Sequence, residues 1–257
     1  MLPRVTSVWR ELRIEPDDRR AAIVLVTAAL ALTINNFAAD DPGWLVTLLD
    51  TIGLDGLGTR LDDATTTSAR AERNDLVFWA TVQIMSYVVP AALAIRWLLG
   101  ERLADHGVRL RGTARHALPY AVFFLVALPA IVAASTTSEF QDRYPFLTVR
   151  AGDSLAPLMV WWVVYALQFC ALEFFFRGFM VHGLFPKFGR AAVFVMVLPY
   201  NMLHYGKPML EAIAAIVGGV ALGFYALRSR TIWWGAILHI AVALTMDSLS
   251  LWQQGAW

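Results

Sequence analysis

The chain is dominated by apolar runs that are close to bilayer length. They fall at roughly 21–39, 77–99, 117–135, 156–185, 190–205, 209–227 and 231–252. Most are long enough to cross the hydrocarbon core as a helix. In lipid every backbone N–H and C=O must be bonded within the protein, so only helices or a closed barrel span it. The runs are continuous rather than alternating, which selects helices. The fold class expected is all-α, a polytopic integral membrane helical bundle of seven transmembrane helices. The count becomes eight if the fourth run is broken, since that run is too long for one perpendicular crossing. Composition agrees: 58% of residues are hydrophobic and only 16% charged, against about 25% charged in soluble domains.

Charge places the ends. Arg4, Arg10, Arg13, Arg19 and Arg20 precede the first run. Arg96, Arg102, Arg109, Arg111 and Arg115 cluster between the second and third. Lys187 and Arg190 join the fourth to the fifth, and Arg228 and Arg230 the sixth to the seventh. The loop at 40–76 is acidic instead. The positive-inside rule then puts the amino terminus in the cytoplasm and the carboxyl terminus outside, as expected of a bacterial inner-membrane protein. Within the acidic loop, residues 44–57 read either as an interfacial amphipathic helix or as an anchored loop. The start of the chain lacks a signal-peptide pattern, so the first run reads as a retained span. The lone cysteine, Cys170, allows no intrachain disulfide. A net charge of +1 gives no reason to expect a nucleic acid partner. Oligomeric state is left open.

Ionisable residues concentrate in the later runs. Glu173, Arg177, His182, His204, Glu211, His239 and Asp247 all fall within or beside residues 156–252. A charge at the bilayer centre costs at least about 2.5–3.5 kcal/mol, which makes such groups functional candidates. Three organisational parts follow: an amino-terminal membrane segment, 1–154, a core of four spans, 155–252, and a tail, 253–257. Glu173 and Arg177 stand four apart, so they face each other on a helix. Counting about 15 residues from the Lys187–Arg190 turn in either direction puts Glu173 and His204 roughly 22 Å from it. The two are expected to meet across the hairpin. The same count from Ser229 brings His239, Glu211 and Asp247 into one layer about 12 Å thick. By the charge bias this layer lies in the outer half of the membrane. His182 reads as an interfacial residue.

A carboxylate with histidines, and no serine or cysteine nucleophile alongside, suits activation of water. The carboxylate acts as general base, one histidine positions the water, and another donates to the developing oxyanion. The same residue types also suit zinc, but HExxH is absent, so zinc is the weaker alternative and no cofactor is expected.

Three short motifs now stand in order: "LEFFFRG" with Glu173, Arg177 and Gly178; "YNMLHYGKP" with Tyr200 and His204; and "HIAVALTMD" with His239. Together they resemble the motifs of the CAAX-processing and bacteriocin-processing protease family, also called the Abi or type II CAAX prenyl endopeptidase-like family. The resemblance covers about 155–250. It implies a glutamate-dependent intramembrane endopeptidase acting on a membrane-anchored protein or peptide tail within the lipid bilayer. The family's base position falls on Leu172, so the base is assigned to the neighbouring Glu173, with His204 as its water-positioning partner and His239 as oxyanion donor. Arg177 orients Glu173, and Glu211 and Asp247 are auxiliary. Lys207 is a candidate for attracting a substrate carboxylate, against the plainer reading of a snorkelling lysine. The sequence departs from the family at three places. Leu172 occupies the position of the family's first glutamate, Tyr200 replaces a phenylalanine, and Ala243 stands where the third motif has an amide or acid. Two other readings stay open: a binding or scaffold protein that keeps the fold without catalysis, and a transporter or proton relay.

Overall fold

Proline and two acids open the first helix. Pro16 sits at its first turn and Asp17 and Asp18 complement its positive end. The computed structural model describes residues 15–256, so Arg4, Arg10 and Arg13 of the charge bias lie outside the described residues. Helix α1 spans Pro16–Ala38. Two short helices follow, α2 at Gly43–Thr51 and α3 at Asp55–Asp62. The stretch 44–57 is thus largely helical, and Trp44, Leu48, Ile52 and Leu57 are exposed along it. Helix α4, Ala71–Leu93, runs on through a π-helical turn, Ala94–Leu98. Helix α5 is Ala117–Ser135. Helix α6, Ala156–Glu173, continues through a π-helical segment, Phe174–Val181, into α7, His182–Phe188. Then come α8, Ala192–Met202, α9, Met209–Ser229, and α10, Trp233–Gln253. No strand occurs among the described residues.

The all-α polytopic bundle is as expected. By length and apolarity, six segments can cross a membrane. One of them, Ala156–Met202, holds both the fourth and the fifth expected spans in 47 residues. The chain turns back inside it at Gly189, whose φ of 54° and ψ of −134° suit a residue without Cβ. After that turn α8 has only 11 residues. Its rise of about 16 Å is half a hydrocarbon thickness. Residues 203–206 continue as turns rather than as helix.

Helix α6 packs between α4 and α10, and the π segment meets α8 and α9. Phe175, Phe176 and Phe179 fill the principal core with Val24 of α1, Tyr87 and Ile95 from the second span, and Met196 of α8. Polar side chains join helices where small residues allow close approach. Asn35 Nδ2 donates to Tyr87 Oη at 3.0 Å, and Gln168 Nε2 donates to Gln83 Oε1 at 2.7 Å. Helix α5 is different. It packs on α10 and buries only Tyr120 and Ser135.

The loop between α4 and α5 acts as a strap. Arg20 grips Glu101 with both terminal nitrogens and donates from Nε to the Gly183 carbonyl at 2.7 Å. This guanidinium holds the Glu101 carboxyl below its usual range. The contact's contribution therefore persists above the unfolded-state value and is lost as pH falls through the lowered one. The ring of His106 bridges Glu101 and the Gly178 carbonyl at 2.8 and 3.2 Å. A Cβ at Gly178 would lie 2.7 Å from the His106 carbonyl oxygen, so the strap needs glycine there. Beyond it, Ile232 N–H donates to Gly107 at 3.0 Å, Thr231 Oγ1 to the Arg109 carbonyl at 2.8 Å, and Trp234 Nε1 to the Thr113 carbonyl at 2.9 Å.

The two ends of the bundle gather alternate connections. Arg20, Glu101, His106, Arg190, Arg228 and Arg230 surround one end. At the other, Tyr144 Oη donates to Glu211, Gln141 to Gln253, and Thr148 N–H to Glu72. This arrangement predicts a labelling pattern in a Cys170→Ser background. Phe188→Cys and Arg111→Cys should react with an impermeant thiol reagent from one face of the membrane, and Ser138→Cys from the other. Labelling of Phe188→Cys and Ser138→Cys from the same face would contradict the alternation.

Candidate active site

Glu173 is the last residue of α6, and the π segment that follows is buried throughout. A π turn widens the helix by one residue and is frequent at functional sites. Glu173 and Arg177 are 1% and 0% exposed. Their nearest atoms, Oε1 and Nη1, are 3.0 Å apart. The Glu173 carboxylate also faces His239 of α10, with Oε1 2.9 Å from Nδ1. None of these contacts has hydrogen-bond alignment: Arg177 Nε, Nη1 and Nη2, Glu173 Oε1 and His239 Nδ1 all lack a hydrogen-bond partner. Coulomb attraction among these three groups is the principal force at the carboxylate.

Helix α8 closes the other side. The Arg177 guanidinium carbon lies 4.1 Å from the centre of the Tyr200 ring, a cation–π contact, and Phe176 meets that ring edge-on. Tyr200 Oη is 3.0 Å from His239 Nε2. A carboxylate beside Nδ1 favours the tautomer protonated there, so the tyrosine hydroxyl donates to Nε2. Phe169 stacks on the His239 ring at 5.5 Å with planes 2° apart. The imidazole is thus fixed on three sides by Glu173, Tyr200 and Phe169. Gly235, in the first turn of α10, makes this packing feasible, because a Cβ there would collide with the Glu173 carboxylate.

Of the residues singled out in the sequence, Glu173, Arg177 and His239 come together. His204 does not touch Glu173 directly among the described residues. It lies in the turn after α8, with Nδ1 3.2 Å from the Tyr200 carbonyl and its ring 5.1 Å from the Tyr200 ring. Tyr200 therefore stands between His204 and the carboxylate. The register explains this. Phe176 is opposite Tyr200, and one turn further along the antiparallel pair come Leu172 and His204. Leu172 is 7% exposed and belongs to the apolar cluster that includes Tyr200 and Leu203. A glutamate at 172 would share the level of His204; Glu173, rotated by about 100°, faces His239 instead.

Glu211 and Asp247 do not join this cluster. Glu211 accepts from Tyr144 Oη at 3.0 Å and from Lys207 Nζ at 2.6 Å, at the far end of the bundle. Lys207 is thus engaged by its own helix neighbour. Asp247 is fully buried and accepts from Trp162 Nε1 at 2.9 Å. It lies eight residues beyond His239, about 12 Å along α10. His182 is held by Nδ1 at 2.7 Å from the Arg177 carbonyl.

The depth expected from residue counting is corrected. The helix carrying Glu173 overshoots: Gly178 already abuts His106 and Ile232, yet α7 extends to Phe188. Glu173 is only five residues, about 7 Å, from Gly178. The cluster therefore sits toward the arginine-rich end, not in the half of the bundle near Glu211. For zinc, the residues present do not fit. Among the described residues no three of His, Cys, Asp or Glu converge as a ligand group, and Glu173 with His239 is only a pair.

Sequence reasoning did not single out Phe169 or Gly235. It noted Tyr200 only as a departure from a motif. That departure was the available signal, since it adds a hydroxyl where a phenylalanine has none. Residues 154–245 match the family model described as type II CAAX prenyl endopeptidase Rce1-like. The match supports the family resembled by the three motifs over the segment that carries Glu173, Tyr200, His204 and His239. No curated protein and no solved structure matches the chain.

The buried pair gives a stability prediction. Glu173→Gln leaves Arg177 without a carboxylate, Arg177→Met leaves Glu173 with His239 alone, and each should lower unfolding free energy in detergent by about 3–5 kcal/mol. The double variant should be more stable than either. Strictly additive losses would show that the two charges do not sustain one another.

Proposed function

We propose that this chain, whose residues 154–245 carry the type II CAAX prenyl endopeptidase-like segment, is an intramembrane endopeptidase that cuts a membrane-anchored protein or peptide tail. The observation that carries the reading is the run Glu173–His239–Tyr200, with a sealed carboxylate at one end and a half-buried imidazole in the middle.

Glu173 is too enclosed to meet water itself, and Arg177 neutralises it. The group within reach of substrate is His239. In this reading water displaces the Tyr200 hydroxyl from His239 Nε2 and gives its proton to that nitrogen as its oxygen attacks the scissile carbonyl carbon. Glu173 stabilises the resulting imidazolium from the Nδ1 side, so glutamate and histidine act as one proton-transfer unit. His204, its Nδ1–H turned from the Tyr200 carbonyl to the substrate, donates to the oxyanion of the tetrahedral intermediate. His239 then returns the proton to the leaving amine, and the carbon–nitrogen bond breaks. The role earlier given to His239 thus passes to His204. The position of the cluster favours substrates whose cleaved bond lies toward the arginine-rich end, the end assigned to the cytoplasm by charge.

A second reading has its own support. Leu172 removes the carboxylate nearest His204, and the Arg177 pairing is what a structural ion pair would need. On that reading the protein binds membrane-anchored tails without cutting them.

The test is cleavage of a panel of membrane-anchored carboxyl-terminal tails by the purified protein in proteoliposomes. Glu173→Gln and His239→Ala should each lower the rate by roughly 10²–10⁴-fold. Tyr200→Phe, which loses one neutral hydrogen bond, should cost about tenfold or less. Undiminished cleavage by Glu173→Gln would remove the proton-transfer unit. Tail binding without cleavage by the unaltered protein would support the second reading.

A further inference from the structure

A cavity of about 760 Å³ opens at the arginine-rich end, and its lining includes neither Glu173, His204 nor His239. Two kinds of wall meet in it. One carries Arg190, Arg228 and Arg230; the other carries Phe185, Phe224 and Leu227. Arg20 also borders it, but Glu101 and the Gly183 carbonyl engage that guanidinium. No ion pair or side-chain hydrogen bond engages the guanidinium groups of Arg190, Arg228 or Arg230 among the described residues, so these three cations outnumber the one carboxylate of the lining that Arg20 does not engage, Asp105.

Two further observations point inward. His182, on the cavity wall, donates through Nδ1 to the Arg177 carbonyl, so its buried, unpartnered Nε2 is an acceptor that suits a hydroxyl of a ligand headgroup rather than the phosphate itself. Arg230 caps α9 in the left-handed conformation, at φ 52°. It is the one non-glycine residue with positive φ among those described. Glycine or asparagine would take that position without the steric cost. Keeping arginine there brings its side chain to the cavity.

We infer that this cavity binds the phosphate group of an amphiphile, with Arg190, Arg228 and Arg230 on the phosphate and Phe185, Phe224 and Leu227 along the apolar arm. Guanidinium groups bind phosphate oxygens in paired fashion. The apolar wall has no use for a free inorganic ion but suits the first carbons of an acyl chain. An anionic phospholipid in the leaflet at this end supplies both parts, and basic residues at a membrane surface attract such lipids. The inference is independent of whether Glu173 is catalytic.

Thermal unfolding of the full chain in a neutral detergent tests it, since a ligand that binds only the folded state raises Tm. Phosphatidylglycerol should raise Tm by several degrees, whereas phosphatidylcholine and inorganic phosphate at matched ionic strength should not. The triple variant Arg190→Gln/Arg228→Gln/Arg230→Gln should lose the shift, and Arg111→Gln/Arg115→Gln, outside the cavity, should keep it. Arg230→Gly separates binding from folding: glycine relieves the backbone, so Tm without lipid should hold or rise while the lipid shift shrinks. No shift with phosphatidylglycerol, or a shift that survives in the triple variant, overturns the inference. A shift with inorganic phosphate that the triple variant abolishes would replace the amphiphile with a free anion.

Discussion

One buried pair organises the interior. With Glu173 and Arg177 both sealed from solvent, each must keep its partner, and every neighbouring element accommodates them. The π segment sets Arg177 beneath Tyr200. The glycine in the first turn of α10 leaves room for the carboxylate. His239 then arrives at Oε1 because α10 can approach that closely. Desolvating two charges costs several kcal/mol each, so such a pair rarely adds net stability. What it supplies is a fixed registration among α6, α8 and α10. The imidazole owes its orientation to that registration.

Much of this was legible in the sequence because membrane insertion penalises charge so heavily. Glu173, Arg177 and His239 stood out against an apolar background, and motif order linked them to residues that pack together. Long apolar runs likewise dictated helices. Two things stayed hidden. The depth of Glu173 was misjudged because counting from the Lys187–Arg190 turn assumes that the turn marks the bundle's end, and α7 extends past it. The separation of His204 from Glu173 was hidden because α8 stops at Met202. Neither a helix overshoot nor an early stop leaves a mark in hydropathy. Tyr200 shows a third kind of difficulty, since its ring looks like core and only its hydroxyl position reveals a partner.

Matched spacing also misled where distance along one helix mattered more than shared polarity. Glu211 and Asp247 are ionisable and lie in the same region of sequence, yet each has its own local partners, Tyr144 and Lys207 for Glu211 and Trp162 for Asp247 Oδ2. Their separation from His239 shows that buried polar groups in one bundle can belong to independent stations. The far-end pair ties α9 to the loop after α5, and Asp247 ties α10 to α6.

The strap between α4 and α5 alters how the homologous segment should be regarded. Family resemblance begins at residue 154, but cohesion does not. The same core cluster includes Val24, Tyr87 and Ile95 as well as Phe176 and Tyr200. Backbone carbonyls of Gly107, Arg109 and Thr113 receive hydrogen bonds from the start of α10 and the residues just before it. Sequence resemblance and packing therefore have different borders in this molecule. The segment that matches the family model occupies barely more than a third of the chain, while the packed core reaches back to the first helix. Spans with no motif of their own thus act as a mould, closing the core around Phe175, Phe176 and Phe179 with Val24, Tyr87 and Ile95.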